Sequence, residues 1–347
     1  MTGAADIDLE GPPAALLEVR DLRVHFKTDY GTVKAVDGVS WSVNEGETLA
    51  IVGESGSGKS VSAMTILGLV PSPPATFPSG DVFLRGRSLL KMPEKQQRKL
   101  RGSQIAMIFQ DPLTALNPVF KVGDQIAEMV RVHQDVSKHT AKKRALDLLG
   151  EVGIPNPAVR VNQYPHEFSG GMRQRAMIAM ALANDPHVLL ADEPTTALDV
   201  TVQAQIMALL EKLQEDRNTA IVLITHDLGV VASYADRINV MYAGRIVEAG
   251  TADDIFYSPR HAYTFGLLSS LPRMDQKRQA RLQPIKGIPP SLARVPEGCP
   301  FHPRCTFATD ACKQQLPTLT PVDGDGHMAA CVHSDRVAIA HEERAAQ

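Results

Sequence analysis

Cysteine is almost missing from this chain of 347 residues: there are four, all between Cys299 and Cys331. A disulfide-stapled secreted scaffold is excluded, and in a cytoplasmic protein four clustered thiols point to a metal site before they point to disulfides. Long apolar runs are missing too. The richest stretch, Ala220 to Ala235, is interrupted by His226 and Asp227, so nothing approaches the roughly 20 apolar residues that cross a bilayer as a helix. The N-terminus carries Asp6, Asp8 and Glu10 in place of a basic segment and a long apolar one, so no secretion signal is expected and the protein reads as cytoplasmic. Neither sign of charge dominates, since 36 Lys and Arg stand against 39 Asp and Glu for a formal net charge of -3. No global positive field is available to hold nucleic acid, and no nucleic-acid partner is expected.

What is present is ordinary globular material. Hydrophobic residues make up 44% and charged residues 22%, and at roughly 100–200 residues per domain the length provides for two or three domains. Residues 1 to 15, with Gly11, Pro12 and Pro13, read as a flexible tail. Alternating Leu22, Val24 and Phe26 predict a strand, and Val33, Val36, Val39 and Trp41 predict a second beyond the polar turn at Asp29 to Gly31. Glu47 to Val52 predicts a buried strand entering a Gly-rich loop, followed by a helix from Ser60 to Leu69 that the prolines from Pro71 to Pro78 cannot continue. A strand pair is expected at Asp81 to Arg85 and Ile105 to Phe109. The basic residues between them, Lys91, Lys95, Arg98, Lys99 and Arg101, read as a solvated helix face without function.

From Val122 to about Asn184 the pattern is helical, broken around Gly153 to Pro157 and at Pro165. His187 to Ala191 and Ala220 to Thr225 read as parallel strands joined by a crossover helix. Ile238 to Val247 reads as a hairpin turning at Ala243-Gly244. Beyond Pro259 prolines and cysteines gather and hydrophobic periodicity fades, which marks a domain boundary.

Gly53-Glu54-Ser55-Gly56-Ser57-Gly58-Lys59-Ser60 fits the phosphate-binding loop G-x-x-x-x-G-K-[ST], between a strand and a helix as that motif requires. Glycines let backbone N–H groups close on phosphate oxygens, the helix N-terminus adds a favourable dipole, Lys59 reaches the β- and γ-phosphates, and the Ser60 hydroxyl suits Mg²⁺. With no internal repeat, the chain holds one such unit. The strand ending in Asp192-Glu193 delivers two carboxylates with different tasks. Asp192 is placed to hold Mg²⁺, directly or through water, and Glu193 to polarise the water attacking the γ-phosphate. A third element, Phe168-Ser169-Gly170-Gly171-Met172-Arg173-Gln174, opens an apolar helix and makes a second anion site.

Taken together, the phosphate loop, Ser169-Gly170-Gly171-Met172-Arg173-Gln174 and Leu190-Ala191-Asp192-Glu193-Pro194 resemble the ATP-binding-cassette ATPases. In that family the signature loop closes over ATP held by the opposite subunit, so Ser169, Gly170, Gly171 and Met172 are implied to contact ATP across a head-to-tail dimer. Gln110 resembles the glutamine that senses Mg²⁺ and couples to the membrane subunit. Thr196-Ala197-Leu198-Asp199 resembles the D-loop, with Asp199 near the nucleotide, and His226 resembles the switch histidine that contacts the γ-phosphate. Tyr30 falls where an adenine-stacking aromatic is expected, with Phe26 as the alternative. The signature departs from the commonest form, having Phe168 where Leu and Met172 where Gln is usual, but Ser169 and both glycines are intact.

Within the family, Pro165 to Arg175, Asp111-Pro112-Leu113-Thr114-Ala115-Leu116-Asn117-Pro118 and Gly298-Cys299-Pro300-Phe301-His302-Pro303-Arg304-Cys305 resemble the ATPase subunit of bacterial dipeptide/oligopeptide importers. Nickel importers share this style, so the cargo is less defined than the machine. The resemblance implies two transmembrane permease subunits docking near Gln110 and the Asp111 to Val119 loop, and a second cassette ATPase, with a heterodimer favoured. It also implies an extracytoplasmic substrate-binding protein, and a peripheral position on the cytoplasmic face of the plasma membrane. The competing class, a soluble cassette ATPase of translation or DNA repair, commonly carries tandem cassettes or a long coiled-coil insertion, and neither is present here.

Five residues separate Cys299 from Cys305 and six separate Cys305 from Cys312, with Cys331 further on. Four thiolates suit a [4Fe–4S] cluster or tetrahedral Zn²⁺, and the spacing lacks the paired C-x2-C knuckles of zinc ribbons. The resemblance implies the [4Fe–4S] cluster; zinc and unligated thiols remain as alternatives. Either metal would staple an extension that lacks a core of its own. The fold expected is α/β: a P-loop ABC-type ATPase domain over 16–258 with an antiparallel β subdomain and an inserted helical subdomain at about 120–184, plus a Cys-containing C-terminal extension over 259–347.

Overall fold

The structure, a computed structural model, describes residues 15–29, 31–196, 198–271, 284–324 and 326–345. The tail expected at 1–15 therefore lies, apart from Ala15, outside the described residues. Two long strands, β1 (Leu17–Thr28) and β2 (Gly31–Val43), pair antiparallel with Leu22 opposite Val39 and Val24 opposite Val36. The next strand, β3 (Thr48–Val52), is buried along its whole length and leads through the glycine loop into α1 (Lys59–Ile66). The chain then returns to β1 with β4 (Ala75–Thr76) and β5 (Asp81–Leu84), and β6 (Arg87–Ser88) closes the antiparallel sheet. The basic stretch forms α2 (Glu94–Leu100), which buries no residue, with Arg98 paired to Glu94 at 2.9 Å.

The expected pairing of Asp81 to Arg85 with Ile105 to Phe109 does not occur. β5 lies on β1 in one sheet, whereas β7 (Ile105–Ile108) lies on the other. Both segments are strands, but sheet partnership is a long-range choice that proximity in sequence does not dictate.

After β7 come α3 (Pro112–Ala115) and the helical subdomain: α4 (Val122–His133), α5 (Lys138–Glu151), α6 (Pro157–Arg160) and α7 (Gly170–Ala181). Gly153 at φ 72° and Asn156 at φ 52° make the break foreseen before Pro157. The chain re-enters the sheet as β8 (Val188–Asp192), crosses by α8 (Val200–Arg217) to β9 (Ala220–Thr225), and passes α9 (Leu228–Tyr234) to the hairpin β10 (Arg237–Tyr242) and β11 (Arg245–Thr251). Ala243 and Gly244, both at positive φ, form its turn. Beyond lie α10 (Ala252–Tyr257), α11 (Ala262–Ser269), α12 (Asp310–Gln314), β12 (Thr320–Asp323), β13 (His327–Ala329) and α13 (Ser334–Ala345).

Among the described residues the second sheet runs β12-β13-β11-β10-β3-β9-β8-β7, parallel from β10 to β7. Its parallel strands are apolar on both faces, and strand alternation divides them between two cores. Ala106, Ile108, Leu189, Ala191, Ile221 and Leu223 face the core shared with the helical subdomain. Their neighbours Ile105, Met107, Val188, Leu190, Val222 and Ile224 face the core under the antiparallel sheet.

The C-terminal residues are not coreless, contrary to expectation. β13 adds to the sheet at β11, and Tyr263, Phe301 and Val337 share a buried cluster with Val52, Val240 and Tyr242. Hydrophobic periodicity is weak there because isolated apolar residues plug into a surface that the cassette supplies.

Candidate functional site

Four loops meet at one edge because β3, β9, β8 and β7 are parallel and nearly in register at their C-terminal ends. Val52 lies opposite Thr225, Asp192 opposite Ile224, and Ile108 opposite Ala191. Gly53, His226 and Glu193 follow these ends directly, and Gln110 follows the end of β7 after Phe109. Such an edge is where open α/β sheets bind ligands.

The phosphate loop is held by close backbone approach. Gly53 at φ 155° lies against the Met241 carbonyl and Gly58 at φ 103° against the Ala35 carbonyl, so a Cβ at either would collide with backbone. Gly56, also left-handed at φ 78°, has open space around it. The Gly244 N–H donates to the Ser57 carbonyl at 2.9 Å, tying the loop to the β10–β11 turn. Ser55 stands exposed in the loop, while the Ser57 hydroxyl is buried and has no partner. A buried hydroxyl without a partner is costly unless a ligand satisfies it. Lys59 is 4% exposed and donates to the Gly53 and Glu54 carbonyls at 2.7 and 3.0 Å. Burial pushes its pKa down, against the pull of the Glu193, Asp192 and Glu54 carboxylates. The Glu54 carboxylate turns away from Lys59 to Arg304.

The Ser60 hydroxyl donates to Asp192 Oδ1 at 2.9 Å. Burial, and beyond it the charge of Glu193, raises the Asp192 pKa despite that hydrogen bond. A buried carboxylate beside a hydroxyl fits Mg²⁺, whose charge would offset this burden. Among the described residues no group of three or more His, Cys, Asp or Glu could hold a metal ion, so Mg²⁺ here would take its other ligands from phosphate and water.

Gln110, Glu193 and His226, 83 and 33 residues apart in the chain, converge. The Gln110 amide donates to Glu193 Oε2 at 2.8 Å, and His226 Nδ1 shares a 3.1 Å hydrogen bond with Oε1. The amide of Gln110, proposed from sequence as a Mg²⁺ sensor, thus rests on Glu193 and not on the Ser60–Asp192 pair. Glu193 sits at φ 47°, a costly conformation for a residue with a Cβ, and its N–H donates to the Ile224 carbonyl at 2.8 Å. Burial would raise its pKa, but hydrogen bonds from Thr196 and His226 and the charge of Lys59 bring it below the usual value. The His226 side chain is 62% exposed, open to an incoming ligand.

Two contributors were missed in the sequence. Thr196 Oγ1 donates to Glu193 Oε2 at 2.8 Å, and the buried Gln174 amide donates to the Pro194 carbonyl at 2.6 Å. Both lie inside quoted motifs, but nothing in the spacing shows that the helix after Ser169 braces the loop after Glu193.

Ser169 caps α7, its hydroxyl accepting from the Met172 N–H at 3.3 Å, and Ser169 and Gly170 are exposed. Gly171 lies close to Val202 and Met172 packs against the helical core. Among the described residues no hydrogen bond or ion pair joins Ser169, Gly170, Gly171 or Met172 to the phosphate loop. Asp199 caps α8, accepting from the Val202 N–H at 3.0 Å. Tyr30 lies outside the described residues, and Phe26 is partly buried against the antiparallel sheet's core.

Cys299, Cys305 and Cys331 are partly buried against one apolar cluster, Cys312 is buried, and the Cys299 N–H donates to the Cys312 carbonyl at 2.8 Å. Burial pushes Cys299 and Cys305 up to about 11, and the neighbouring thiols add to the shift. Backbone N–H groups of Phe307 and His333 approach the Cys305 and Cys331 sulfurs at 3.3 and 3.4 Å. Yet these side chains are not among any group arranged for a metal ion, so the expected [4Fe–4S] cluster, and the zinc alternative, is not supported by their geometry.

Comparison with known proteins gives a consistent family assignment. Residues 36–196 match the family model described as "ABC transporter", and residues 247–312 match "Oligopeptide/dipeptide transporter, C-terminal region". The chain is 55% identical over 307 residues to the oligopeptide transport ATP-binding protein OppD of Bacillus subtilis, covering 88% of this chain and 86% of the relative. It is 51% identical over 317 residues to the dipeptide transport ATP-binding protein DppD of Escherichia coli, covering 91% and 96%. Among solved structures, an ATP-binding cassette captured as a dimer after hydrolysis, with ADP and Pi bound, superposes with a TM-score of 0.62 at 28% identity. That match covers 68% of this chain and 98% of the other.

Proposed function

The chain belongs to the ATP-binding-cassette transporter ATPases, in their oligopeptide/dipeptide group, and from that membership we propose that it hydrolyses ATP to drive peptide import through a membrane transporter. The observation that carries this is the convergence of Gln110, Thr196 and His226 on Glu193 at the sheet edge that bears the phosphate loop.

The phosphate loop takes the nucleotide's β- and γ-phosphates as Lys59 exchanges the carbonyls of Gly53 and Glu54 for phosphate oxygen, leaving its buried ammonium paired. Glu193, kept ionised and fixed by its hydrogen bonds, orients the attacking water and accepts its proton. His226 is free to leave Glu193 for the γ-phosphate, while Gln110 links this carboxylate to the Asp111 to Val119 loop. Mg²⁺, held by Ser60 and Asp192, would offset phosphate charge.

The exposed start of α7, with no partner in its own phosphate loop, supports a head-to-tail dimer in which ATP joins Ser169, Gly170 and Gly171 of one subunit to the phosphate loop of the other. Hydrolysis breaks the bond to the γ-phosphate, and departure of the cleaved phosphate then removes the joining charge and permits opening. The second cassette is a paralogue in this proposal. Two permeases dock on the exposed Leu113, Val119 and Phe120 beside Gln110 and hold the protein peripherally at the cytoplasmic face, with a binding protein delivering cargo outside. No described helix is long and apolar enough to cross a membrane.

We divide the chain into a cassette over 16–258 and an extension over 259–347, and propose that the four thiols there take a [4Fe–4S] cluster or Zn²⁺. What supports this reading is the gathering of all four cysteines in one segment, since among the described residues the thiols are not arranged as a metal-holding group. Iron, sulfide and zinc analysis of the purified protein tests this, and absence of all three ends it. The transport proposal is tested by affinity isolation from detergent-solubilised membranes. Two permeases and a second cassette should co-purify, and peptides should stimulate hydrolysis in the reconstituted complex. Stimulation by nickel alone would reassign the cargo, and recovery with ribosomal or DNA-repair partners would overturn transport.

A further inference from the structure

The thiol-bearing extension reaches into the phosphate loop itself. Arg304 ends the short 3-10 turn His302–Arg304, between Cys299 and Cys305. Its guanidinium donates in a fork to the Glu54 carboxylate, Nη1 to Oε2 at 2.6 Å and Nη2 to Oε1 at 2.9 Å, across 250 residues of chain. It also donates from Nη1 to the Tyr242 hydroxyl at 3.3 Å and from Nε to the Lys286 carbonyl at 3.1 Å. The Arg304 side chain is only 5% exposed and that of Glu54 28%, so this is a partly sheltered two-bond pair and not a fully exposed surface salt bridge.

A second contact comes independently from the same side. The Glu54 N–H donates to the hydroxyl of the fully buried Tyr263 at 2.8 Å. Tyr263, Tyr242 and Phe301 form an aromatic cluster with ring centroids 4.6 to 5.4 Å apart. A cavity of about 450 Å³ has Glu54 to Ser57 on one wall and Ile288 to Leu292 on another. The remaining polar group of Glu54, its carbonyl, accepts from Lys59. Glu54 thus has its carboxylate and its N–H fixed by the extension and its carbonyl on the lysine that binds phosphate.

We propose that Arg304 is a positioning residue for the phosphate loop, through which the C-terminal extension sets the affinity of the cassette for ATP. The physical need is clear from charge. Glu54 places an anion in a loop built to receive a polyanion, and only a permanent cation held against it keeps that carboxylate neutralised and turned away from the nucleotide. Without Arg304 the carboxylate is free to compete for Lys59 and to repel triphosphate. The inference rests on ATP binding at this loop and is indifferent to the transported cargo.

The test uses the full-length protein titrated with a fluorescent ATP analogue, with steady-state hydrolysis and thermal unfolding measured alongside. Arg304→Ala should weaken nucleotide affinity about tenfold, with a larger effect on KM than on kcat. Glu54→Gln in the Arg304→Ala background should restore most of the affinity, because the stranded charge is gone. Arg304→Lys, which keeps the charge and loses the fork, should fall between. If Arg304→Ala does not fold, Arg304→Lys with and without Glu54→Gln carries the same comparison. Affinity within twofold of the parent in the Arg304 variants, or a loss that Glu54→Gln leaves in place, would overturn the proposal. Failure of the unsubstituted protein to bind the analogue would instead sink the ATPase assignment.

Discussion

Glu193 shows at the residue scale how a site stores strain where chemistry needs it. A side chain at φ 47° is held by a backbone bond to Ile224 and by hydrogen bonds from Gln110, Thr196 and His226. Glu193→Gln should retain ATP binding and lower turnover about 10²- to 10⁴-fold, as single-turnover and binding measurements would show. Because, against burial, hydrogen bonds and the Lys59 charge hold the Glu193 pKa below its usual value, the carboxylate stays charged into more acid solution, and the acid limb of kcat/KM that depends on it should lie below the ordinary glutamate range. An acid limb near neutrality assignable to this group would contradict the geometry. Gly53→Ala should abolish nucleotide binding, since its Cβ would meet the Met241 carbonyl and have to adopt φ 155°; equilibrium dialysis with ATP checks this. The phosphate-loop residues were legible in the sequence because their spacing is itself the structure. Thr196 and Gln174 were not, because their targets are a carboxylate and a carbonyl fixed only by tertiary packing.

At the scale of the element, the start of α7 is a cap waiting for a second role. Ser169 satisfies the Met172 N–H, and the exposed Gly170 leaves the helix end accessible. Ser169→Arg should leave ATP binding by the single subunit in place and abolish ATP-driven association of the Glu193→Gln protein with its paralogous cassette, as read by light scattering. A dimer that persists would place the second anion site elsewhere. Single strands were legible from their apolar runs, and so was the crossover between Val188–Asp192 and Ala220–Thr225. The partnership of Asp81–Leu84 was not, because α2 carries the chain between sheets and periodicity is silent about which edge receives a strand.

On the scale of the whole molecule, the seam between cassette and extension should respond to acid. His261 is fully buried, accepts from the Tyr263 N–H at 3.1 Å, and is pushed by burial from 6.5 down to about 3. Above pH 6.5 it is neutral whether folded or unfolded; below, only the unfolded chain takes the proton, so stability is lost progressively as pH falls towards 3. The slope is at most about 1.4 kcal/mol per pH unit for this one group. His261→Asn, which keeps a cap acceptor, should make thermal unfolding less steep in pH over that window; an unchanged slope would remove His261 from the account. Phe120→Asp should reduce recovery of permeases with the tagged protein, since it puts a charge on the exposed apolar loop beside Gln110.

The groups that offer the chemistry could be named from the chain alone. A phosphate loop, two carboxylates after an apolar strand, a glutamine and a histidine each at a strand end are local patterns, and local patterns follow from backbone reach and side-chain type. The tertiary structure alone decided which of these groups touch, because the parallel register that sets Gly53, Gln110, Glu193 and His226 on one edge comes from buried alternation summed over four strands. It also decided that the C-terminal residues complete the sheet and clamp Glu54. A bond between Arg304 and Glu54 spans 250 residues, and no periodicity or motif records a contact that exists only once two distant surfaces have packed.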